Sequence, residues 1–279
     1  MTPILLGAGS AALFGAMTVA LRLALLRNPD ARVGAAVTAL VAFTIVLAAT
    51  LLSEGESEPG DLAIFAAAGL LAPGISQLLF TLAVRDAGAA RASVLVGAAP
   101  LVTVALGVLL LDEPLKVAVV AGAALIVAGG VALAWERVRP ESFRTIGLAW
   151  AIGCTLLFAS RDTFVRWFSG ETPVASTDGA AATLLGGATV LTLAALRRSW
   201  RRPAPFVPVG IFFGLSYVLL FEAYYRGPVS AVSPIVATES LWGVALAALL
   251  IGRSERVGRH LVIGAVLIVA GGALIGASR

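Results

Sequence analysis

The chain has 279 residues, of which 59% are hydrophobic and only 13% charged, and its mean hydropathy is +0.98. Soluble domains carry about a quarter charged residues, so this composition excludes a soluble globular protein and favours a polytopic membrane protein, with the lipid bilayer as its surroundings. The formal net charge of +4 comes from arginines scattered in short loops; without a basic helix or an aromatic RNA-binding motif, it predicts no nucleic-acid partner.

Apolar runs of about 20 residues, each long enough to cross a bilayer, follow one another along the chain. They predict an all-α integral membrane protein of ten transmembrane helices, at 3–26, 32–52, 61–84, 89–111, 116–135, 145–168, 175–196, 205–226, 229–251 and 258–276. The connections are short turns rich in Gly, Pro, Ser and charge. The N-terminal run lacks the positive region of a signal peptide, and we expect it to stay as the first span.

Basic residues concentrate in the loops after the odd-numbered spans, for example RRSWRRP after the seventh, whereas the loop SEGESEPGD after the second is wholly acidic. Loops rich in Lys and Arg stay in the cytoplasm. The charges therefore predict a multi-pass membrane protein with both termini on the outer side.

A repeat connects the two halves of the chain. Residues 122–130 read GAALIVAGG and residues 264–272 read GAVLIVAGG; 76–83 (SQLLFTLA) pairs likewise with 216–223 (SYVLLFEA). Because each copy holds an odd number of spans, the second enters the membrane inverted, as in alternating-access transporters. We expect two five-helix repeats, 1–140 and 141–279, around a central cavity. The internal repeat also favours a functional monomer.

The repeated glycine-rich helices have a simpler role. Gly122 and Gly129 share one helix face, as do Gly264 and Gly271. Small residues let two helix backbones approach closely in a membrane. These helices are expected to pack and not to bind a ligand.

Several stretches resemble EamA-type transporters of the drug/metabolite transporter superfamily: LLLDEPL and LLIGRSER before the LIVAGG helices, ALFGA and LLFAS in spans one and six, and FEAYYRGPVSAVSPIVATESLWG. The resemblance covers nearly the whole chain and implies a ten-helix exporter of amino acids or other metabolites in the bacterial cytoplasmic (inner) membrane. Three features depart from the pattern: Ser240 stands where proline is usual, the charges oppose the usual termini-inside orientation, and the first span lacks the glutamate of the related small multidrug-resistance proteins.

Glu239 lies near the middle of the ninth span, where a carboxylate is costly without a partner, water or a proton. Trp242 is one turn further along, so the indole and the carboxylate are predicted to share a face, next to Ser240. We predict that this face lines the cavity; a structural pairing of Glu239 is the alternative.

Arg161 and Asp162 lie just past the middle of the sixth span. Neighbouring residues point about 100° apart on a helix, so they are expected to face different partners: Arg161 a substrate carboxylate or Glu239, and Asp162 the mouth of the cavity. A buried ion pair without a part in transport is the alternative.

The eighth span carries a stripe of four aromatic residues at helical spacing, Phe213, Tyr217, Phe221 and Tyr224. Such a stripe is often core, but two hydroxyls disfavour contact with lipid. Tyr217 is also the repeat counterpart of Gln77. The stripe and Gln77 are therefore predicted to line the cavity.

Prolines lie inside three predicted spans. They are Pro73, which directly precedes Gly74, then Pro100 and Pro234. Proline removes a backbone hydrogen bond and bends a helix. Hinges that move and static kinks are both open interpretations.

These features favour a secondary transporter of a small molecule over an enzyme or a receptor. The chain has one His, one Cys and no GxSxG, HExxH or Walker motif, so no catalytic, metal or ATP site is expected, and no cofactor. A site with a carboxylate, a guanidinium and aromatic rings would suit a zwitterion, and amino acids lead among the substrates. A multidrug or other metabolite transporter is the alternative.

Overall fold

The computed structural model of the protein describes residues 2–53, 57–102, 105, 116–136, 142–200, 202–227, 229–252 and 255–277. Within them the secondary structure is helical, without a strand. The α-helices are α1 (Pro3–Arg27), α2 (Ala31–Leu51), α3 (Pro59–Gly69), α4 (Ser76–Ala87), α5 (Ala89–Val96), α6 (Val117–Ala134), α7 (Ile146–Glu171), α8 (Ser176–Ala195), α9 (Val207–Arg226), α10 (Val229–Val236), α11 (Glu239–Leu250) and α12 (Arg259–Ala277).

In the described part of the chain, eight stretches are long and apolar enough to span a bilayer, and two shorter apolar helices, Ala89–Val102 and Val117–Leu133, stand at the fourth and fifth predicted spans. The end of the fourth predicted span, from residue 106 to 111, lies outside the described residues. The helical content and the candidate spans agree with a multi-pass membrane protein.

Three of these stretches are not continuous α-helices. α3 and α4 are joined by a wider helical turn, Leu70–Ile75, which contains Pro73 and Gly74 and in which Ala72 has the non-helical angles φ −138° and ψ 108°. The chain also turns at Gly97–Ala98 after α5 and at Ala237–Thr238 between α10 and α11. The predicted kink at Pro73 is therefore present, whereas the other two interruptions end two residues before Pro100 and begin three residues after Pro234.

α6 and α12 pack through their glycines, as predicted. A Cβ atom added to Gly122 would lie 2.6 Å from the carbonyl oxygen of Gly271, and one added to Gly271 would lie 2.5 Å from that of Gly122. Gly129 and Gly264 approach each other in the same reciprocal way. A side chain at any of these positions would force the two backbones apart. We refer to these four residues as the glycine seam.

A network of buried charges holds one end of the bundle together. Arg22, near the end of α1, donates from Nε to Glu255 Oε1 (2.7 Å), from Nη1 to the Arg85 carbonyl (3.0 Å) and from Nη2 to Ser142 Oγ (3.0 Å). Arg91 donates to the carbonyl oxygen of Glu255 at 3.2 Å. Arg22, Arg91, Ser142 and Glu255, here called the Arg22 cluster, connect α1, α5 and the loops that precede α7 and α12.

Candidate functional site

A small cavity lies where α1, α7 and α9 meet the turn after α5 and the turn between α10 and α11. It encloses about 30 Å³, room for about two water molecules. Its walls are Ser10, Phe14, Val96, Ala99, Pro100, Phe158, Arg161, Asp162, Phe213, Ser216, Tyr217, Leu220, Ser233, Val236, Ala237 and Glu239. Apolar and aromatic walls with a few polar groups are typical of small-molecule sites.

The two breaks bring helix ends to this cavity. Val96 ends α5 and Pro100 follows the turn at Gly97–Ala98, while Val236 ends α10 and Glu239 begins α11. Broken helices occur at membrane depth where the backbone borders a cavity or is buried in protein. Glu239 is thereby placed in the first turn of α11, where the helix dipole favours a negative charge.

Arg161 and Asp162 bind each other. The Arg161 Nε and Nη2 atoms donate to Asp162 Oδ1 at 2.9 and 2.7 Å. The expectation that these two residues face different partners does not match this geometry, because the long arginine side chain folds back across the angle between neighbouring helix positions. The guanidinium carbon also lies 4.8 Å from the Phe158 ring centroid and 5.2 Å from that of Tyr217. Arg161 is thus held by one carboxylate and two aromatic rings.

The second oxygen of Asp162 is also bound. Tyr224, which is buried behind the cavity wall, donates its hydroxyl to Asp162 Oδ2 at 2.9 Å. Arg161 and Tyr224 therefore hold the Asp162 carboxylate from two sides, and charge-assisted hydrogen bonds of this kind are strong. The three side chains form a set that is neutral in total charge.

Glu239 differs from that set. Its side chain is buried, with 6% of its surface exposed, and it lines the cavity. Among the residues that the structure describes, the carboxyl group of Glu239 has no hydrogen-bond or ion-pair partner. Tyr217 is similar, since its hydroxyl is buried without a partner in the described part of the chain. The cavity thus contains a carboxyl and a hydroxyl that are available to a ligand.

Only part of the set predicted for the site lines this cavity. The predicted residues that line it are Arg161, Asp162, Phe213, Tyr217, Glu239 and Pro100. Those that do not are Phe221, Tyr224, Gln77, Ser240, Trp242, Pro73, Gly74 and Pro234. Phe221 packs against Tyr217, with ring centroids 4.9 Å apart. Trp242 lies one turn from Glu239 on α11, but its indole is 46% exposed and does not line the cavity.

Gln77 is fully buried away from the cavity wall, and within the described residues neither atom of its amide has a hydrogen-bond partner. Ser240 is also fully buried and donates to the carbonyl oxygen of Ala237 at 2.9 Å. It therefore supports the turn between α10 and α11.

Sequence reasoning missed several cavity residues. Ser10 and Ser216 each donate a hydroxyl to the other's carbonyl oxygen at 3.0 Å and join α1 to α9 at the cavity. Phe14 and Phe158 face each other with ring centroids 5.8 Å apart. The phenylalanines are equivalent positions of the repeat, a signal that could have identified them, whereas two single serines in apolar helices carry no such signal.

Comparisons with known proteins identify a family and a similar fold. A model described as the EamA-like transporter family matches residues 1–135 and again 145–277. A crystal structure described only as that of a protein superimposes with a TM-score of 0.62 at 21% sequence identity, over 95% of this chain and 96% of the other. At this identity the likeness concerns the fold alone. A search of curated proteins gives no match.

Proposed function

Because the chain belongs to the EamA-like transporter family, we propose that it is a secondary transporter that moves a small metabolite through the cavity between its helices. The observation that carries this proposal is the Glu239 carboxyl at the break between α10 and α11, which lines the cavity and has no partner within the described ranges. An ionisable group inside a membrane protein is costly, and such groups mark functional sites. A membrane scaffold would have no need of it.

We also propose that the helices form two inverted five-helix repeats, 1–140 and 141–279. Two packing contacts support this arrangement. A Cβ atom at Gly9 would lie 3.0 Å from Leu219, and one at Gly153 would lie 3.2 Å from Leu79. Gly9 is the repeat counterpart of Gly153, and Leu79 is that of Leu219. The same contact thus recurs with the halves exchanged.

A second pair of equivalent contacts consists of arginine hydrogen bonds to carbonyl oxygens at the helix ends. Arg22 Nη1 lies 3.4 Å from the Val84 carbonyl oxygen, and Arg166 Nη1 lies 3.3 Å from that of Tyr224. These are again counterparts in the repeat. Arg22 is buried and Arg166 is exposed, which is the difference expected of two ends that open alternately.

In this arrangement the cavity holds too little space for a metabolite, so substrate enters only after helices move apart. The interruptions near Pro73 and Gly74, near Pro100 and near Pro234 are the proposed hinges. The proposed cargo is an amino acid or a similar small metabolite that bears an amine, with export as the direction. Arg161 has further N–H donors for an amino-acid carboxylate, but Asp162 already balances its charge. A transporter of drugs or other metabolites with the same fold is the alternative.

Flux in proteoliposomes tests this function. Purified protein is reconstituted, and a panel of amino acids, amines, sugars and cationic drugs is measured with and without a proton gradient. We expect saturable flux of at least one amine-bearing solute. Leu215→Ala changes an exposed position of α9, outside the cavity. It serves as the control substitution and should transport as the unchanged protein does. Absence of protein-dependent flux across the panel would exclude the proposal.

We further propose that the protein lies in a bacterial inner membrane with both termini outside, because Arg22, Arg91 and Arg144 are on the odd-numbered loops or the helix ends beside them. A fluorescent protein that matures only in the cytoplasm, fused to the C-terminus, should stay dark. Bright fluorescence from correctly inserted fusions would reverse the orientation.

A further inference from the structure

We infer that the cavity selects organic amines that carry no carboxylate, and that Glu239 binds their ammonium group. This inference rests on the proposed transport function; within the amine-bearing metabolites proposed above it selects amines without a carboxylate and excludes amino acids. It follows from the charges that face the cavity, from the nature of its walls, and from the groups that are already paired within it.

The balance of charge is the first argument. Besides the phenol of Tyr217, three ionisable side chains line the cavity: Arg161, Asp162 and Glu239. The guanidinium of Arg161 and the carboxylate of Asp162 neutralise each other. Glu239 remains without a partner among the described residues, so its ionised form leaves one uncompensated negative charge in the cavity. A buried carboxylate needs either a proton or a counter-charge, and a bound ammonium supplies the counter-charge.

The walls are the second argument. Four aromatic rings border the cavity: Phe14, Phe158, Phe213 and Tyr217. Their contacts are continuous, since Phe14 lies 6.4 Å from Phe213 and Phe213 lies 5.3 Å from Tyr217 between ring centroids. Aromatic faces attract cations. These walls already hold one cation, because the Arg161 guanidinium lies against Phe158 and Tyr217.

A substrate carboxylate finds no comparable site. Arg161 has further N–H donors besides those on Asp162, but its charge is already balanced by Asp162. A substrate carboxylate would therefore add an uncompensated negative charge to a cavity that already holds Glu239, and such a buried charge is costly. The hydroxyls of Ser10 and Ser216 are bound to each other's backbone. The Tyr217 hydroxyl, which has no partner within the described residues, can bind either group by a hydrogen bond but carries no charge. The charges of the cavity thus suit the amine and not the carboxylate.

Three matched probes test this selection: phenethylamine, phenylalanine and phenethyl alcohol. The first two share a ring and an ammonium and differ by one carboxylate, and the third retains the ring without a charge. Binding to the purified protein in detergent is measured by calorimetry. We expect phenethylamine to bind at least about ten times more tightly than either of the others. Phenylalanine binding as tightly as phenethylamine, or no binding of phenethylamine, would overturn the inference.

The residue is tested by Glu239→Gln, which retains the shape and the hydrogen-bonding capacity and removes the charge. We expect its affinity for phenethylamine to fall at least about tenfold in a protein that remains folded. The matched control is Glu222→Gln, because Glu222 pairs with Arg226 outside the cavity; it should bind as the unchanged protein does. Unchanged binding by the Glu239 variant would overturn the inference, and if that variant does not fold, the three probes decide by themselves.

The two proposals fail in different ways. If the flux panel finds a transported sugar or other uncharged solute while phenethylamine does not bind, transport stands and the amine selection is wrong. If phenethylamine binds with the expected selectivity and no solute of the panel is transported, the site is an amine site and the proposed transport function is wrong.

Discussion

Two buried arginines show how differently the same side chain is used in this molecule. Arg22 is 5% exposed and bonds to the carboxylate of Glu255, which is fully buried, to backbone carbonyls and to Ser142. Arg161 has a similar burial, but it bonds to the adjacent residue in the chain, lies between two aromatic rings and borders a cavity. The first joins segments that are distant in sequence, whereas the second organises a site.

The difference lies in what each arginine leaves available. In the Arg22 cluster the polar groups bind one another, as a contact that closes one end of the bundle requires. In the cavity Arg161 and Asp162 bind each other, but the Glu239 carboxyl and the Tyr217 hydroxyl, which line the same cavity, have no partner among the described residues. Loss of the first ion pair should therefore act on stability, and changes around the second should act on transport.

The largest effect is expected for Arg22→Met. It leaves Glu255 buried without its counter-charge, which costs about 3–5 kcal/mol of unfolding free energy. Unfolding in denaturing detergent or by heat measures the loss. Arg198→Met is the control, because that arginine is 49% exposed in its pair with Asp30, and surface pairs contribute about 1 kcal/mol or less.

The double variant Arg22→Met, Glu255→Leu should recover most of the lost stability, since it removes both charges. A single Arg22→Met variant as stable as the Arg198 control would end the comparison, because Arg22 would then not be a stabilising contact.

Tyr217→Ala should have the opposite profile. It removes the ring that lies against Arg161 and part of the aromatic wall, and we expect transport to fall about tenfold in a protein that remains folded, in line with roughly 1–2 kcal/mol for a desolvated cation–π contact. Flux per folded molecule and thermal unfolding are measured together. Normal flux, or an unfolded protein, would contradict the assignment of Tyr217 to the cavity.

The smallest effect is expected for Tyr224→Phe. It retains the ring and removes the hydrogen bond to Asp162 Oδ2, worth about 0.5–1.5 kcal/mol. Because Tyr224 acts through Asp162 and not on the substrate, the half-saturating substrate concentration should rise about two- to tenfold with little change in stability. Tyr225→Phe is the control, since the Tyr225 hydroxyl has no partner within the described residues. Equal behaviour of the two variants would remove Tyr224 from the site.

The large-scale organisation of this protein could be predicted because a membrane span requires an apolar run of sufficient length. The length of such a run, for example Pro3–Arg27, can be read directly from the sequence. The glycine seam was predictable for a related reason, since Gly122 and Gly129 recur in the second half as Gly264 and Gly271. Each of these features depends on spacing along one helix.

The site depends on directions that spacing does not determine. Glu239 and Trp242 lie one turn apart on α11, but this spacing does not determine that the carboxyl reaches the cavity whereas the indole is 46% exposed. The pairing of Arg161 with Asp162 depends on the reach of a flexible side chain. Ser10 and Ser216 meet only because α1 crosses α9.

The glycine seam has a mechanical consequence. Where Gly122, Gly129 and Gly271 leave space on one helix, the side chains of Ile275, Ile268 and Ile126 on the facing helix occupy it. Dispersion contacts weaken steeply when packed atoms move apart by a fraction of an ångström, so this interdigitated contact resists sliding and rotation of one helix against the other. The seam therefore couples α6 to α12, and any rearrangement of the bundle should carry the two helices as one rigid pair.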